Sequence, residues 1–234
     1  MDMNAFFSLP RLWAIFLKYR NFYFDGLANT IILSLLAVLF GSLLGFMFAF
    51  GRMSKIKPIN WICSAYITIV QSTPLLVQVM IIYYGALALK LKIPGNATAT
   101  SFLWGMVAVA LNSGGYMGEV IRSGIGAVDG GQMEAARAIG MRKGTAMINV
   151  VLPQAMRNIL PALGNEFATV IKETSVLSMC SVADIMFRAN DVASITWKYV
   201  DCYIIAAIMY FIVVFPLSQL MKYIERRMSR SVTR

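Results

Sequence analysis

The stretch Leu27–Phe50 reads LANTIILSLLAVLFGSLLGFMFAF, with no charge between Asp25 and Arg52. Crossing the hydrocarbon core of a bilayer takes about 20 apolar residues in a helix, so this run alone reaches across. Four further segments resemble it in length. Residues 59–89 are uncharged but contain Gln71, Pro74 and Gln78, and 101–123 stay clean until Glu119. Residues 158–181 are interrupted by Glu166, Lys172 and Glu173, and 200–222 run from just before Asp201 to Lys222. In lipid an open-ended segment satisfies its backbone only as a helix. The expected fold class is therefore an all-α membrane protein with five transmembrane helices. Composition agrees: the 234 residues are 59% hydrophobic and 14% charged, against about 45–50% and 25% in soluble domains.

The formal net charge is +10, without a single histidine. Nucleic-acid binding would cluster Lys and Arg on a polar face; here they fall between apolar runs and at the C-terminus, which excludes that class. With the N-terminus outside, the cytoplasmic set is Arg52, Lys55, Lys57, Arg122, Arg137, Arg142, Lys143, Arg157, Lys222, Arg226, Arg227, Arg230 and Arg234. It outweighs the outer set of Arg11, Lys18, Arg20, Lys90, Lys92, Arg188 and Lys198. The positive-inside rule then places the N-terminus outside and the C-terminus in the cytoplasm. Residues 1–24 mix Asp2, Pro10, Arg11, Lys18 and Arg20 with apolar side chains, as expected of an amphipathic segment on the membrane surface. The transmembrane part then occupies 25–223, and 224–234 form a basic cytoplasmic tail. Cys63, Cys180 and Cys202 lack CxxC spacing. Without histidine, no metal set or nucleophile–base pair emerges, so neither catalytic nor metal-binding residues are assigned. Gly41/Gly45 and Gly114/Gly118 each form a GxxxG, a spacing that suits close helix packing in lipid.

The orientation leaves a long loop, 124–156, in the cytoplasm. Within it 132–139 (QMEAARAI) are strong helix formers, and Gly140 stands where a helix C-cap needs glycine. A second helical stretch covers 143–151, and Leu152–Pro153 is expected to stop it. Glu134 is placed near the first helix's N-terminus, where the dipole favours a carboxylate. The alanines at 135, 136 and 138 keep that helix narrow. Two short helices with apolar side chains in water form a candidate docking surface.

The loop spells Glu134-Ala135-Ala136, three residues, Gly140, nine residues, Val150, one residue, Leu152-Pro153. This resembles the EAA motif of ABC importer permeases, with Val150 in place of the usual Ile. STPLLVQ (72–78) with Tyr83-Tyr84, GQMEAARAIGM (131–141), VLPQAMRN (151–158) and KETSVLS (172–178) are similar to the polar amino acid permeases. Departures are Gln71-Ser72, where that group commonly has Arg-Gly, and Gly115, where Ala is usual. The resemblance implies a type I ABC importer transmembrane domain in a bacterial plasma membrane. It would pair with a second permease subunit, identical or paralogous. Two ATPase subunits would bind the loops through Glu134, Ala135, Ala136, Gly140, Leu152 and Pro153, and an extracellular or periplasmic solute-binding protein would deliver an amino acid. The chain has no P-loop signature. It is thus expected to bind no cofactor itself and to hydrolyse no ATP; ATP and Mg would sit on the partner.

An ionisable side chain inside a span costs about 2.5–3.5 kcal/mol, so it faces protein or a cavity. Glu166, beside Asn165, is either a contact for the ammonium group of a substrate or a structural carboxylate. Gln78, Tyr83, Asn112 and Tyr116 are the polar groups placed to line a path, while Pro74 is expected to kink the second span. Glu119 and Arg122, three apart on a helix, are expected to pair. Adjacent Lys172 and Glu173 face different ways and are read as gate or inter-subunit contacts. A self-contained channel or secondary transporter is the competing class, but it has no need of the EAA loop.

Overall fold

The computed structural model describes residues 8–229, and every regular element among them is helical. The first, α1, is one helix over Leu9–Arg52, with Pro10 in its opening turn, where a missing N–H costs nothing. It is kinked at Tyr19, where two helical pieces meet, and runs on as helix through residues 24 and 25. Its first part is held by protein: Leu12, Ile15 and Tyr23 are buried with Ile185, Ala189, Cys202 and Ile205. Arg11 also forks onto buried Asp201, Nε at 2.9 Å and Nη2 at 3.1 Å from the two carboxylate oxygens. Residues 1–7 of the expected surface segment, and 230–234 of the basic tail, lie outside the described residues.

Helix α2 (Lys57–Ser72) and helix α3 (Leu75–Ala88) are the expected second span, bent by 111° where Thr73 and Pro74 take extended geometry. Helix α4 (Ala97–Gly126) opens on Asn96, whose side chain accepts a hydrogen bond from the Ala99 N–H at 2.8 Å. Among the described residues α1 and the last helix, α8 (Tyr199–Ser229), are long and apolar enough to cross a membrane, and the bent α2–α3 pair adds a third if taken as one span. Helix α4 is rich in Gly, Ser, Thr and Asn, and helix α6 (Leu152–Glu173) carries Arg157, Glu166, Lys172 and Glu173. Helix α4 buries small and polar residues such as Thr100, Ser101, Asn112 and Ser113, whereas α6 buries Ala155, Ile159 and Ile171 and leaves Arg157 and Lys172 exposed. The polar residues of both dilute their hydropathy.

The bundle's spine is the α1–α4 crossing. The buried face of α1 is Thr30, Leu33, Ser34, Ala37, Gly41, Gly45 and Ala49, while Leu35, Leu39, Leu43 and Met47 are exposed on the opposite side. The two GxxxG pairs pack against each other. A Cβ on Gly45 would stand 2.7 Å from the Met117 Cβ and 3.0 Å from the Gly118 nitrogen, and one on Gly114 2.9 Å from the Leu44 Cβ. Lipid offers no hydrophobic drive between helices, so association rests on such close contact.

Between α4 and α6 lies a hairpin. Helix α5 (Gly130–Ala138) is capped by Asp129, whose side chain accepts from the Gly131 N–H at 2.9 Å. It therefore starts before the expected 132, and Glu134 sits at its fifth position, past the first turn where the dipole acts. The turn at Ala127–Asp129, absent from the sequence-based helix limits, moved the start. At the other end the Gly140 N–H bonds to the Arg137 carbonyl (3.0 Å) and the Met141 N–H to the Ala136 carbonyl (3.1 Å), a Schellman closure with Gly140 at φ +91°. The chain then rises without interruption through a short α-turn at Lys143–Ala146 and a π-helical turn at Met147–Val151 into α6. Leu152–Pro153 does not stop the helix, as expected, but opens α6. The wide π-turn leaves room for the proline ring and does not require its missing N–H. A 3₁₀ turn (Thr174–Cys180) and helix α7 (Ile185–Thr196) lead into α8.

Candidate functional site

The hairpin is fixed from within and bare outside. Met133 and Met147 pack on a cluster of Ala49, Ile121, Ile125, Val151, Ala155 and Ile159 at the base of the bundle, and half-buried Leu152 joins them. The Gln154 side-chain amide donates to the Gln132 side-chain oxygen and to the Val150 carbonyl, both at 3.1 Å, tying α5 to α6. Ala136 is buried, whereas Glu134, Ala135, Gly140 and Pro153 are exposed. Beside them stand Ile139, 80% exposed, and Ile148, 64% exposed. The hairpin thus exposes two β-branched side chains and a carboxylate, the kinds of group a docking surface uses.

Above the hairpin, Glu119 accepts from Arg122 (Nε at 3.1 Å) as expected, and also from Arg52 at the end of α1. The Arg52 carbonyl in turn accepts from the Asn60 side chain in α2. One carboxylate thus gathers the ends of α1, α2 and α4. Exposed ion pairs contribute little to stability; here the geometry fixes the relative positions of three helix ends.

The expected pathway residues separate into groups. Glu166 and Glu173 lie two turns apart on one face of α6. Both carboxylates lie on the side of α6 near Ser113 and Tyr116 of α4, and Ser113 Oγ is buried without a hydrogen-bond partner. Glu173 Oε2 is buried without a hydrogen-bond partner. This face holds two acids, a hydroxyl and a phenol, which suits a cationic group. Gln78 and Asn112 do other work. The Gln78 amide donates to the Val70 carbonyl (2.9 Å), the Thr73 carbonyl (3.1 Å) and Thr73 Oγ1 (2.8 Å), and its oxygen accepts from the Asn112 side chain at 2.9 Å. They clamp the α2–α3 break, supplying donors to carbonyls that Pro74 leaves without an N–H. Tyr83 joins α3 to α4 through Ser101 Oγ at 3.0 Å. Asn165 points into a separate cleft, and exposed Lys172 lines a groove with Tyr210 and Phe211. Lys172 and Glu173 therefore do face different ways.

Residues 38–230 match the family described as binding-protein-dependent transport system inner membrane component. The chain belongs to that family. This membrane component is 34% identical over 215 residues to a probable glutamine ABC transporter permease protein, GlnM, of Bacillus subtilis (strain 168), covering 91% of this chain and 97% of the relative. It is 35% identical over 207 residues to the arginine transport system permease protein ArtQ of the same organism, covering 88% and 92%. It is 38% identical over 210 residues to that organism's L-cystine transport system permease protein TcyB, covering 89% and 87%. Among solved structures, a chain of an amino acid ABC transporter crystallised with histidines superposes with a TM-score of 0.84 at 44% identity, covering 90% of this chain and 96% of that one. A chain of the inward-facing MetNI methionine ABC transporter shares the fold, with a TM-score of 0.66 at 15% identity, covering 93% and 99%. The expected fold is therefore that of a type I ABC permease.

In this membrane component, sequence reading missed Ser113 and Arg52. Ser113 is one serine in an apolar helix, and Arg52 entered only as a topological charge. Nothing local marks either. Ile139 and Ile148 fall in the two short helices whose apolar side chains are expected in water, but the sequence does not say which of those side chains stay bare.

Proposed function

We propose that the chain is the permease subunit of an ATP-binding-cassette importer that moves a polar amino acid into a bacterial cell. Five membrane crossings, with the N-terminus outside and the C-terminus inside, fit the charge asymmetry: α1, the bent α2–α3 pair, α4, α6 and α8 in turn. Two ATPase subunits, which bind ATP and Mg, engage the hairpins of two permease subunits from the cytoplasm. A solute-binding protein delivers the amino acid from outside. The names of the relatives, for glutamine, arginine and cystine, support a polar amino acid as cargo.

The observation that carries this reading is the hairpin: an apolar, glutamate-edged outer face on a rigidly seated inner face. Approach of the two ATPases draws the hairpins together. Because the hairpin continues into α6 without a flexible joint, its movement reaches Glu166 and Glu173, and access alternates between the two sides. Glu166 contacts the ammonium group of the cargo. The test is co-purification of the ATPase with the permease from membranes. Glu134→Arg is expected to reduce recovered ATPase severalfold, and full retention of the ATPase by that variant would overturn the docking assignment. In reconstituted vesicles Glu166→Gln should weaken uptake; unchanged uptake and affinity would remove Glu166 from the path.

A further inference from the structure

On the hairpin side of the bundle, the turn before α5, the first half of α6 and the end of α8 enclose a cleft of about 630 Å³, within the range of small-molecule sites. Its walls carry Asp129, Arg157, Asn158, Asn165 and Glu225. Arg157 on α6 and Glu225 on α8 have opposite charge. Yet neither belongs to an ion pair or side-chain hydrogen bond among the described residues. Such a pair lining one cleft without touching leaves room for something that meets both. Pro161, buried in the same wall, has no N–H to give the Arg157 carbonyl one turn before it, so an acceptor is freed there as well. The cleft thus offers a guanidinium fork for a carboxylate, and a carboxylate, a bare carbonyl and two side-chain amides for an ammonium group.

We propose that this cleft is a cytoplasmic binding site for a polar zwitterionic amino acid, distinct from the Glu166–Glu173 face. Its carboxylate meets Arg157, and its ammonium group meets Glu225 and the Arg157 carbonyl. The cytoplasmic location rests on the orientation given under the proposed function. Because Asp129 caps the docking helix, an occupant that ties α8 to this corner holds the hairpin in place. A full internal pool of amino acid would then slow the transport cycle.

The test is equilibrium binding of radiolabelled L-glutamine, L-arginine and L-cystine to the permease purified with its ATPase, without the solute-binding protein. This reads the cleft whether or not uptake can be measured. At least one label should bind saturably, and Arg157→Gln and Glu225→Gln should each weaken that binding by about tenfold. All binding is measured in the Glu166→Gln background, which removes the proposed cargo contact, and melting temperatures report whether each variant folds. Should either cleft variant fail to fold, Asn158→Ala and the conservative Arg157→Lys take its place, each expected to weaken binding. The proposal is overturned if none of the three labels binds in that background, or if binding there survives the cleft variants. ATP hydrolysis in vesicles loaded with the bound amino acid should be slowed in the parent protein and not in the cleft variants; equal slowing in all of them would reject the regulatory role. Loss of uptake into empty vesicles would count against the transport reading alone.

Discussion

At the α1–α4 crossing, Gly45, Gly114 and Gly118 lie against the opposite helix so closely that an added Cβ would meet it, whereas Gly130, Gly140 and Gly144 in the hairpin between α4 and α6 face open space within 4 Å. One residue type serves two ends. In the crossing glycine removes volume, and two backbones approach in a solvent that gives helices no other reason to associate. In the hairpin volume is irrelevant. Gly140 supplies a left-handed φ of +91° that closes the turn, while the surface around it stays free for a partner. The crossing is rigid because it is full, and the hairpin is available because its outer side is empty.

The contrast can be broken most forcefully at Gly45. Gly45→Leu should destabilise the protein by about 3 kcal/mol or more through overpacking against Met117, seen as loss of the monodisperse species in detergent. Gly144→Leu is the control, and equal tolerance of both would dissolve the distinction. Gln78→Leu comes next. It strips the Val70 and Thr73 carbonyls and the Asn112 amide of partners at the α2–α3 break, at a cost of about 2 kcal/mol. Thermal melting should fall while ATPase docking at the distant hairpin persists. Gly140→Ala should cost about 1 kcal/mol through its backbone angle. Its signature is local, faster proteolysis within 127–151 with little change in the melting of the membrane helices. The smallest effect is a gain. Gly144→Ala lies in a helical turn with open space around it and should stabilise that turn by about 0.5–1 kcal/mol, read as slower proteolysis at the same site.

These regions were not equally legible in the sequence. Long uncharged runs such as Leu27–Phe50 mark membrane helices because hydropathy sums over many residues. The EAA spacing located the hairpin because several residues recur at fixed distances. The GxxxG pairs were visible, but a spacing motif does not say which helix faces which, and their mutual packing needed the fold. Gln78 and Asn112 read as path-lining groups because polarity within a span suggests a cavity; that Gln78 also bonds the Val70 and Thr73 carbonyls at the break, with Asn112 bonded to its oxygen, depends on a 111° bend that no local pattern specifies. Pro153 was misread for a similar reason. A proline normally ends a helix, and only the π-turn before it lets the rod continue.

That uninterrupted rod makes α6 a lever. With 22 residues at 1.5 Å rise each, it is about 33 Å long. A tilt of roughly 10° imposed at the hairpin would swing the far end by about 6 Å, while Glu166, about two-thirds of the way along, moves about 4 Å. Under the proposed function, the ratio of those arms would set how far a small stroke at the hairpin moves the far end of α6 relative to Glu166.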